Sequence, residues 1–487
     1  MKTTFALSVS YFIVLLAASF SVFYNLGSSP LACWDESRQA INAIEMSDHG
    51  NPLITTFEGE VDLWNTKPSL LAATQALSMR IFGINEFALR LPTALSAVIL
   101  CLFIFHFFVS QFKSVLGGIV AVFVLLSFSG YNGYHGVRTG DFEGFLALFS
   151  TAYLIAFFLY VESNNQKYLH WFGLFLVLTV LSKGVAGLMF APGLAIYLAL
   201  EGKLLRILSS QRFWATILVS ASTILLYYLY RNIHNPGYLL AVYDNELGGR
   251  FGKVVEGHRG EWNYYISALF SNRASPWILL YPLGLLFWVY KLRTDRIFSK
   301  PILYFSLLTI CWLFFISTAK TKIEWYDFPM FPLIAFTLGL LFAGISRHYT
   351  SRRFPYRNKK YVTLALVFIV VISSVKIIRI MNTPIPTCEY CIESNHFGEL
   401  VNSGIQEGRD FSGYAWATGF KYYATPLFYI EKLKREQGQT VTRKRANQWE
   451  KGDKIFMLQP MLLDSVPQNM KAKLINNKFG ILEVQME

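Results

Sequence analysis

Residues 34–38 of the chain read Trp-Asp-Glu-Ser-Arg, residues 65–70 read Asn-Thr-Lys-Pro-Ser-Leu, and residues 90–92 read Arg-Leu-Pro. This polar stretch lies between two strongly apolar segments. It carries too much charge to cross a membrane, and it is too short to fold alone. Acidic and basic side chains held against a bilayer by flanking helices are suited to work on a charged lipid head group. The rest of the chain is therefore interpreted as the scaffold that holds this loop at the membrane surface.

The composition is that of a polytopic membrane protein. Of the 487 residues, 53% are hydrophobic and only 15% are charged, and the mean hydropathy is +0.37. A soluble domain has roughly 25% charged residues. The apolar residues fall in uncharged blocks of about 16 to 22 residues, which is the length that spans the hydrocarbon core.

The net charge of +13 suggests nucleic acid at first sight, but its distribution indicates a membrane. Most of the excess lies in short loops between apolar blocks, as the positive-inside rule requires for cytoplasmic loops. No nucleic-acid partner is expected. The basic residues of these loops are Lys203, Arg206 and Arg212; Lys291, Arg293, Arg296 and Lys300; and Arg347, Arg352, Arg353, Arg357, Lys359 and Lys360.

The apolar blocks predict about eleven transmembrane helices. The first block is long and lacks a small-residue cleavage site, so we interpret it as a retained helix rather than a signal peptide. With the N-terminus inside, all three basic clusters lie in the cytoplasm, and the first loop, residues 131–143, residues 232–274 and the C-terminal tail lie outside. The predicted spans are 5–25, 91–109, 115–130, 144–161, 168–182, 185–200, 213–231, 275–290, 302–318, 326–345 and 361–380.

The tail changes character from about residue 382. Short strand-like and helix-like segments with many charges predict a small soluble α/β domain on the outer face. The sequence thus predicts a transmembrane catalytic domain over residues 1–381, including an outer loop over 26–90, and a soluble extracytoplasmic domain over 382–487. The segments of the tail are strands at Tyr414–Ala417, Lys454–Leu458 and Gly480–Val484 and a helix at Pro426–Glu436.

Acidic side chains mark two of the outer loops. Asp35 and Glu36 lie at the start of a predicted helix that runs to about Met46, and Arg38 is adjacent to Asp35 on that helix. Simple N-terminal capping by acidic residues is one interpretation, because the helix dipole favours them there. The alternative is catalysis, which is favoured by a second acid, Asp141, just outside a membrane helix on the same face.

Four lysines lie on the outer side, one in the first loop and three at outer ends of spans, where the positive-inside bias disfavours them. Each of them alone is explained by snorkelling to outer phosphates. Four cations that converge from separate segments instead predict a binding site for an anionic lipid phosphate. These residues are Lys67, Lys183, Lys320 and Lys322.

The loop over 232–274 contains Glu256-Gly257-His258-Arg259-Gly260, with aromatic residues after it. A surface histidine is the ordinary interpretation of His258. A glycine-flanked histidine beside Arg259 and aromatic residues is also typical of a mobile loop that closes over a sugar or phosphate.

No cofactor is assigned from the sequence. Asp35, Glu36 and Asp141 are oxygen donors suited to a divalent ion, but no His/Cys spacing supports zinc in the core. Cys388 and Cys391 have redox or metal spacing without a second pair, so a local disulfide or two free thiols is favoured. The absence of a Walker or dinucleotide glycine motif argues against an ATP-driven pump and against a Rossmann nucleotide-sugar enzyme.

Taken in order, these motifs resemble a known family. The chain is similar to the polyprenyl-phosphate-sugar transferases of the GT-C class, which include protein O-mannosyltransferases and, more closely, the aminoarabinose lipid A transferases. The resemblance covers about residues 30 to 345. Its motifs are Asp35-Glu36, Lys67-Pro68, Gly83, Arg90-Leu91-Pro92, Arg138 with Asp141, Ser182-Lys183-Gly184, Gly257-His258 with Tyr264-Tyr265 and Pro276-Trp277, and Lys320-Thr321-Lys322 with Tyr326, Pro329 and Pro332.

The resemblance implies a GT-C membrane fold and assigns roles to particular residues. Asp35 is implied to be the catalytic acidic residue, assisted by Asp141, with Glu36 in the same candidate set. Arg38 and Lys67 are implied to contact the lipid phosphate. The remaining phosphate candidates are Lys183, Arg259, Lys320 and Lys322, and the candidates for the substrate loop are His258, Tyr264 and Tyr326.

The expected activity is inverting sugar transfer on the outer face of a bacterial-type inner membrane. The donor is expected to be a sugar on a polyprenyl monophosphate, and the acceptor a glycolipid such as lipid A, a polysaccharide or a protein. A protein O-mannosyltransferase activity is the nearest alternative. A transporter of lipid-linked sugars and an inactive scaffold are two further alternatives, although the charges gather at one face rather than at mid-membrane.

Overall fold

Each membrane span predicted from the sequence coincides with a helix. The structure, a computed structural model, describes residues 2–249, 251–291, 295–349, 356–383, 392–419 and 422–487. Within these ranges, eight helices are long and apolar enough to cross a bilayer, and the chain is an integral multi-pass membrane protein. These eight are Phe5–Phe23, Glu86–Phe112, Glu143–Ser163, Gln166–Leu188, Gln211–His234, Arg296–Thr318, Met330–His348 and Lys360–Asn382.

Three predicted spans are shorter as helices than the sequence suggests. Val115–Ser127, Ala191–Leu200 and Trp277–Tyr290 are apolar but have fewer than eighteen residues. Within the span Gln166–Leu188, the α-helix ends at Lys183, and a short 3-10 helix, Gly184–Leu188, follows it. Gly184 has a φ of +63°, which favours glycine. The remaining helices are Asp35–His49, Leu70–Phe82, Ser129–Asn132, Leu204–Leu208, Tyr238–Val242, Tyr264–Ala268, Ile392–Gln406 and Ala424–Glu436.

The described residues form two units, and each has its own contacts. The first unit comprises Met1–Tyr24, Asp62–Leu71 and Thr93–Thr383, and the second comprises Asn25–Val61, Ala72–Pro92 and Pro384–Glu487. Part of the first loop therefore clusters with the tail. The predicted domain boundary at residue 381 remains a prediction.

Small residues bring two helices of the first unit close together. A Cβ atom added to Gly117 would lie 2.7 Å from the Cβ atom of Ala343 and 2.9 Å from the carbonyl oxygen of Gly339. Glycine at both positions therefore lets the helices Val115–Ser127 and Met330–Tyr349 approach backbone to backbone, as small residues do between membrane helices. Stacked rings fill the neighbouring space, with the centroids of Phe305 and Phe336 4.4 Å apart.

A five-stranded mixed sheet forms the centre of the second unit. Its first two strand pairs are parallel and its last two are antiparallel. The strands lie in the order Thr442–Arg443, Tyr414–Ala417, Lys454–Met457, Ile481–Met486 and Ala472–Lys478. A two-stranded hairpin, Thr56–Phe57 with Glu60–Val61, is separate from this sheet.

The core of the second unit combines aliphatic side chains with aromatic ones, which include Phe397, Trp416, Phe428, Tyr429 and Phe456. The three strands and the helix predicted in the tail are confirmed within a few residues. The small α/β domain of the predicted fold class is thus present.

The cysteines fall into three groups. Cys33 is disulfide-bonded, and Cys101 and Cys311 are free thiols. Cys388 and Cys391, for which a local disulfide or two free thiols was predicted, lie outside the described residues.

Candidate active site

Asp35 is the exposed first residue of the helix Asp35–His49 in the second unit. The preceding Trp34 has a φ of 66°, which is uncommon for a bulky residue. Its ring stacks on Tyr422 with the centroids 4.5 Å apart, and the Tyr422 hydroxyl donates a hydrogen bond to the Trp34 carbonyl at 2.6 Å. The backbone that carries Asp35 is thus fixed, and the positive end of the helix dipole favours its negative charge.

Glu36, the second member of the acidic pair, is fully buried. Its carboxylate receives two hydrogen bonds from the Arg90 guanidinium, at 2.7 and 3.0 Å, and one from the Ala32 backbone N–H at 2.6 Å. Both carboxylate oxygens are therefore engaged inside the protein. This geometry favours a structural role for Glu36, although it was predicted as a candidate catalytic residue.

Arg90 completes a network that holds the chain before the helix Asp35–His49. Its guanidinium also donates to the carbonyl oxygens of Leu26, Ser29 and Pro30 at 2.8 to 2.9 Å. The Arg-Leu-Pro motif thus has a structural explanation that the sequence did not reveal.

Arg38 lies one turn after Asp35 and is half-buried. The carbon at the centre of its guanidinium lies 4.3 Å from the centroid of the Phe57 ring. This cation–π contact orients the guanidinium on the hairpin side of the helix.

Asp141 is buried in the first unit and is held by two neighbours. The Thr139 hydroxyl donates to its Oδ2 atom at 2.7 Å, and the His135 Nδ1 atom lies 3.0 Å from the same oxygen. The His135 ring stacks on Trp325 with the centroids 3.5 Å apart. Burial alone would raise the pKa of the Asp141 carboxyl, but His135 and the Thr139 hydrogen bond outweigh burial and lower the pKa below its ordinary value. Asp141 is therefore ionised at neutral pH.

One oxygen of Asp141 remains available. Its Oδ1 atom is buried and accepts no hydrogen bond from the described residues. An ionised carboxylate with one open oxygen is suited to accept a hydrogen bond from a substrate hydroxyl or amine.

Lys183 is paired with a carboxylate that the sequence analysis did not single out. Its ammonium forms a buried ion pair with Glu143, the first residue of the helix Glu143–Ser163. The same ammonium lies 5.8 Å from the centroid of the Tyr326 ring. Lys183 and Tyr326, both predicted site residues, are thus brought together near Asp141.

Lys67 is likewise paired with an acid distant in sequence. Its ammonium forms an ion pair with Glu246, and the Thr66 hydroxyl donates to the same carboxylate at 2.9 Å. A Cβ atom added to Gly184 would lie 3.8 Å from the Cδ atom of Pro68. The segments that carry Lys67 and Lys183 are therefore neighbours.

A buried arginine and two tyrosines support the segment of Lys67. The Ser69 backbone N–H donates to the Tyr227 hydroxyl at 2.9 Å, and the Tyr238 hydroxyl donates to the Thr66 carbonyl at 2.9 Å. Arg231, which is fully buried, donates to Tyr227 at 3.3 Å and lies over the Tyr238 ring at 4.3 Å. The backbone on both sides of Lys67 is thus anchored by residues that lie in the span Gln211–His234 or follow it.

The loop with His258 pairs with the segment that carries Lys320 and Lys322. The Lys322 backbone N–H donates to the His258 carbonyl at 3.0 Å, and that of Lys320 donates to the Phe251 carbonyl at 3.1 Å. The side chains of His258, Arg259 and Lys320 are exposed. Backbone hydrogen bonds therefore join the two segments that carry these predicted residues.

Lys322 differs from the other candidate cations. Its buried ammonium donates to the carbonyl oxygens of Ile316, Ser317 and Ala319, at 2.5 to 3.2 Å, at the end of the helix Arg296–Thr318. A cation at a helix C-terminus satisfies otherwise unpaired carbonyls. This contact favours a capping role over phosphate binding.

A buried ion pair fixes the turn that carries Tyr326. The Arg273 guanidinium donates two hydrogen bonds to Asp327 at 2.6 and 2.7 Å. Tyr264, a predicted substrate-loop residue, is half-buried against Tyr265, whose hydroxyl donates to the Ile323 carbonyl at 3.1 Å. The two predicted tyrosines thus lie on segments tied to each other.

The three acids predicted as oxygen ligands of a divalent ion are not equally suited to bind one. The oxygens of Glu36 are taken by Arg90 and the Ala32 N–H, so Glu36 does not fit a metal ligand. Asp141 keeps one open oxygen, and Asp35 is exposed. Of the three acids, Asp35 and Asp141 therefore fit the oxygen ligand of a divalent ion, and Glu36 does not.

Comparison with known proteins identifies the fold. A crystal structure of ArnT from Cupriavidus metallidurans bound to undecaprenyl phosphate superimposes with a TM-score of 0.71, covering 98% of each chain at 15% sequence identity. The chain has the GT-C fold. The fold class predicted from the sequence is thereby confirmed.

Sequence comparison agrees with this fold. A family model described as dolichyl-phosphate-mannose-protein mannosyltransferase matches residues 66–241, a range that contains Lys67, Asp141 and Lys183. An undecaprenyl phosphate-α-4-amino-4-deoxy-L-arabinose arabinosyl transferase of Shewanella sediminis is 28% identical over 324 residues, which are 64% of this chain and 56% of that protein. A protein of Aquifex aeolicus without an assigned function is 27% identical over 342 residues, 67% of this chain and 62% of its own. The chain thus spans about 60% of the length of these relatives, and its resemblance to the GT-C transferases is confirmed.

Proposed function

We propose that this GT-C protein is an inverting glycosyltransferase that moves a sugar from a polyprenyl-phosphate donor to a lipid A-like glycolipid or another extracytoplasmic acceptor. The observation that carries the proposal is the similarity, over about two thirds of the chain, to transferases named for an undecaprenyl phosphate aminoarabinose donor. The ArnT structure of the same fold binds undecaprenyl phosphate. The partners are accordingly a lipid-linked sugar, an acceptor and the bilayer.

Asp35 acts as the general base in this proposal. It removes a proton from the acceptor hydroxyl or amine while that group attacks the anomeric carbon of the donor. The bond from the anomeric carbon to the phosphate oxygen breaks as the new bond forms, and polyprenyl phosphate leaves. Attack from the face opposite the phosphate inverts the configuration, and Asp141 assists by accepting a hydrogen bond from the substrate through its open Oδ1 atom.

Cations stabilise the charge that grows on the leaving phosphate. Arg38 and Lys67 are assigned to that phosphate, with Lys183, Arg259 and Lys320 as further contacts, and a site of low dielectric strengthens each interaction. Lys322 is left out of this set because its ammonium caps a helix. His258, Tyr264 and Tyr326 are assigned to the substrate loop.

The reaction is proposed to take place on the extracytoplasmic face of a bacterial-type inner membrane. The distribution of the basic loops supports this orientation through the positive-inside rule. The transmembrane catalytic domain is proposed to cover residues 1–381 and the soluble domain residues 382–487.

A protein acceptor is the second candidate, because the matched family model is described as a protein mannosyltransferase. Incubation of the purified full chain with radiolabelled polyprenyl-phosphate sugars and either lipid A or an acceptor protein distinguishes the two. Mass spectrometry of cellular glycolipids and glycoproteins, with and without the gene, identifies the natural product. Movement of the lipid-linked sugar across vesicles without any transfer would instead indicate a transporter.

Replacing Lys67 is expected to weaken donor binding. A hydrogen bond to a charged group contributes about 1.5–3 kcal/mol, so Lys67→Ala should lower the affinity for polyprenyl-phosphate sugar about 10- to 100-fold. The affinity is measured by titration of the donor into the purified protein. Lys167→Ala is the matched control, because Lys167 is exposed in a helix outside the candidate site. Unchanged donor affinity in Lys67→Ala would remove Lys67 from the phosphate site.

A further inference from the structure

Lys67, the cation assigned to the donor phosphate, forms an ion pair with Glu246. The two side chains are only 19% and 11% exposed. Glu246 also accepts the Thr66 hydroxyl at 2.9 Å, so two donors from adjacent residues hold one carboxylate. Glu246 lies in a π-helical turn, Tyr243–Leu247, a rare conformation that is frequent at functional sites.

A phosphate bound by Lys67 must compete with this carboxylate. An ammonium group has three N–H donors, but its single positive charge is already balanced by Glu246. The neighbouring Lys183 is balanced in the same way by Glu143. These two lysines and two glutamates together carry no net charge, so repulsion from the two carboxylates offsets part of the attraction between the two ammonium groups and an incoming phosphate.

The Glu246 carboxylate affects the binding of the donor and the binding of the product differently. The phosphodiester of a polyprenyl-phosphate sugar carries one negative charge. The polyprenyl phosphate that remains after transfer is a monoester, and such phosphates carry about −1.5 to −2 charges at pH 7. A fixed carboxylate beside Lys67 therefore disfavours the product more than the donor.

We propose that Glu246 competes with the polyprenyl phosphate product for Lys67 and thereby speeds product release. This inference rests on the proposed function and adds a residue that acts on the release step. Glu246 makes no bond to the reacting atoms in this scheme, so it is a positioning residue for Lys67 and a competitor of the phosphate.

The test is the binding of undecaprenyl monophosphate to the purified full chain. Glu246→Gln keeps the shape and the hydrogen-bonding capacity of the side chain but removes its charge. We expect the variant to bind undecaprenyl monophosphate about tenfold more tightly than wild type. With the donor and acceptor that wild type uses, it should show a burst of one product per enzyme followed by a lower steady rate.

Three further variants serve as controls. Glu246→Asp keeps the charge and should not tighten binding. Glu261→Gln removes a charge from an exposed residue of the same loop and should behave as wild type. In Lys67→Ala/Glu246→Gln, the tightening should disappear, because Lys67 is the group for which the two anions compete.

The outcomes separate the inference from the proposed function. Equal or weaker binding by Glu246→Gln, with wild type binding normally, overturns the inference and shows that Glu246 only holds Lys67 in place. If neither wild type nor Glu246→Gln binds undecaprenyl monophosphate, the proposed donor class is wrong and the inference fails with it.

Discussion

Asp35→Asn is expected to lower the rate of sugar transfer by about 10²- to 10⁴-fold, the usual contribution of a positioned general base. Asparagine has nearly the same shape as aspartate but cannot take up the proton of the acceptor. Because Asp35 is exposed at the start of its helix, the substitution should leave folding intact. The measurement is the initial rate of transfer from polyprenyl-phosphate sugar in membranes, together with donor affinity.

The control for this prediction lies on the same helix. Asp48 is 48% exposed and bonds Arg435 at the protein surface, where an ion pair contributes only about 0–1 kcal/mol. Asp48→Asn should therefore keep wild-type activity. Donor affinity in Asp35→Asn should change little, since the base acts on the acceptor. Full activity of Asp35→Asn would exclude Asp35 from the mechanism.

The membrane part of the fold was predictable because each span is a local pattern. A run of apolar residues long enough to cross a bilayer is recognised without knowledge of its neighbours. The short helices were harder to predict, since Gly184 interrupts an apolar run through a backbone conformation that hydropathy does not report.

The tail was predictable only where its strands are apolar. The buried strands Tyr414–Ala417, Lys454–Met457 and Ile481–Met486 carry hydrophobic side chains. The strand Ala472–Lys478 is mostly exposed and polar, and Thr442–Arg443 has only two residues. Neither has a pattern that separates a strand from a loop.

The sequence singled out charged residues as candidates for the site, but it did not show which acid forms an ion pair with which lysine. Lys67 and Lys183 were singled out because cations on the outer side of a membrane protein are unusual. Their partners are 179 and 40 residues away, and no local spacing connects them. Glu246 and Glu143 were therefore missed, although acids in the outer loops were the available signal.

The sequence also does not show that the two acids Asp35 and Glu36 have different environments. Asp35 and Glu36 are adjacent in sequence, yet one side chain is exposed and the other is fully buried against Arg90. A partner 54 residues away decides this difference. The sequence alone could not distinguish Asp35, the exposed acid, from Glu36, the buried one.

Removing one partner of the buried Glu36–Arg90 network is expected to destabilise the second unit strongly. Breaking a buried ion pair from one side typically costs about 3–5 kcal/mol, because the remaining charge stays buried without a counter-ion. Arg90→Met would leave the Glu36 carboxylate and the carbonyl oxygens of Leu26, Ser29 and Pro30 without the guanidinium. The free energy of unfolding, measured by denaturant titration of the purified protein, should fall by that amount.

Three comparisons separate this structural role from catalysis. Glu36→Met/Arg90→Met removes both charges and should recover part of the lost stability, whereas Arg435→Met at the surface should cost at most about 1 kcal/mol. Glu36→Gln, assayed at a low temperature where it remains folded, should retain transfer activity because the base is Asp35. A folded Glu36→Gln that is as inactive as Asp35→Asn would instead show that the buried carboxylate takes part in the reaction.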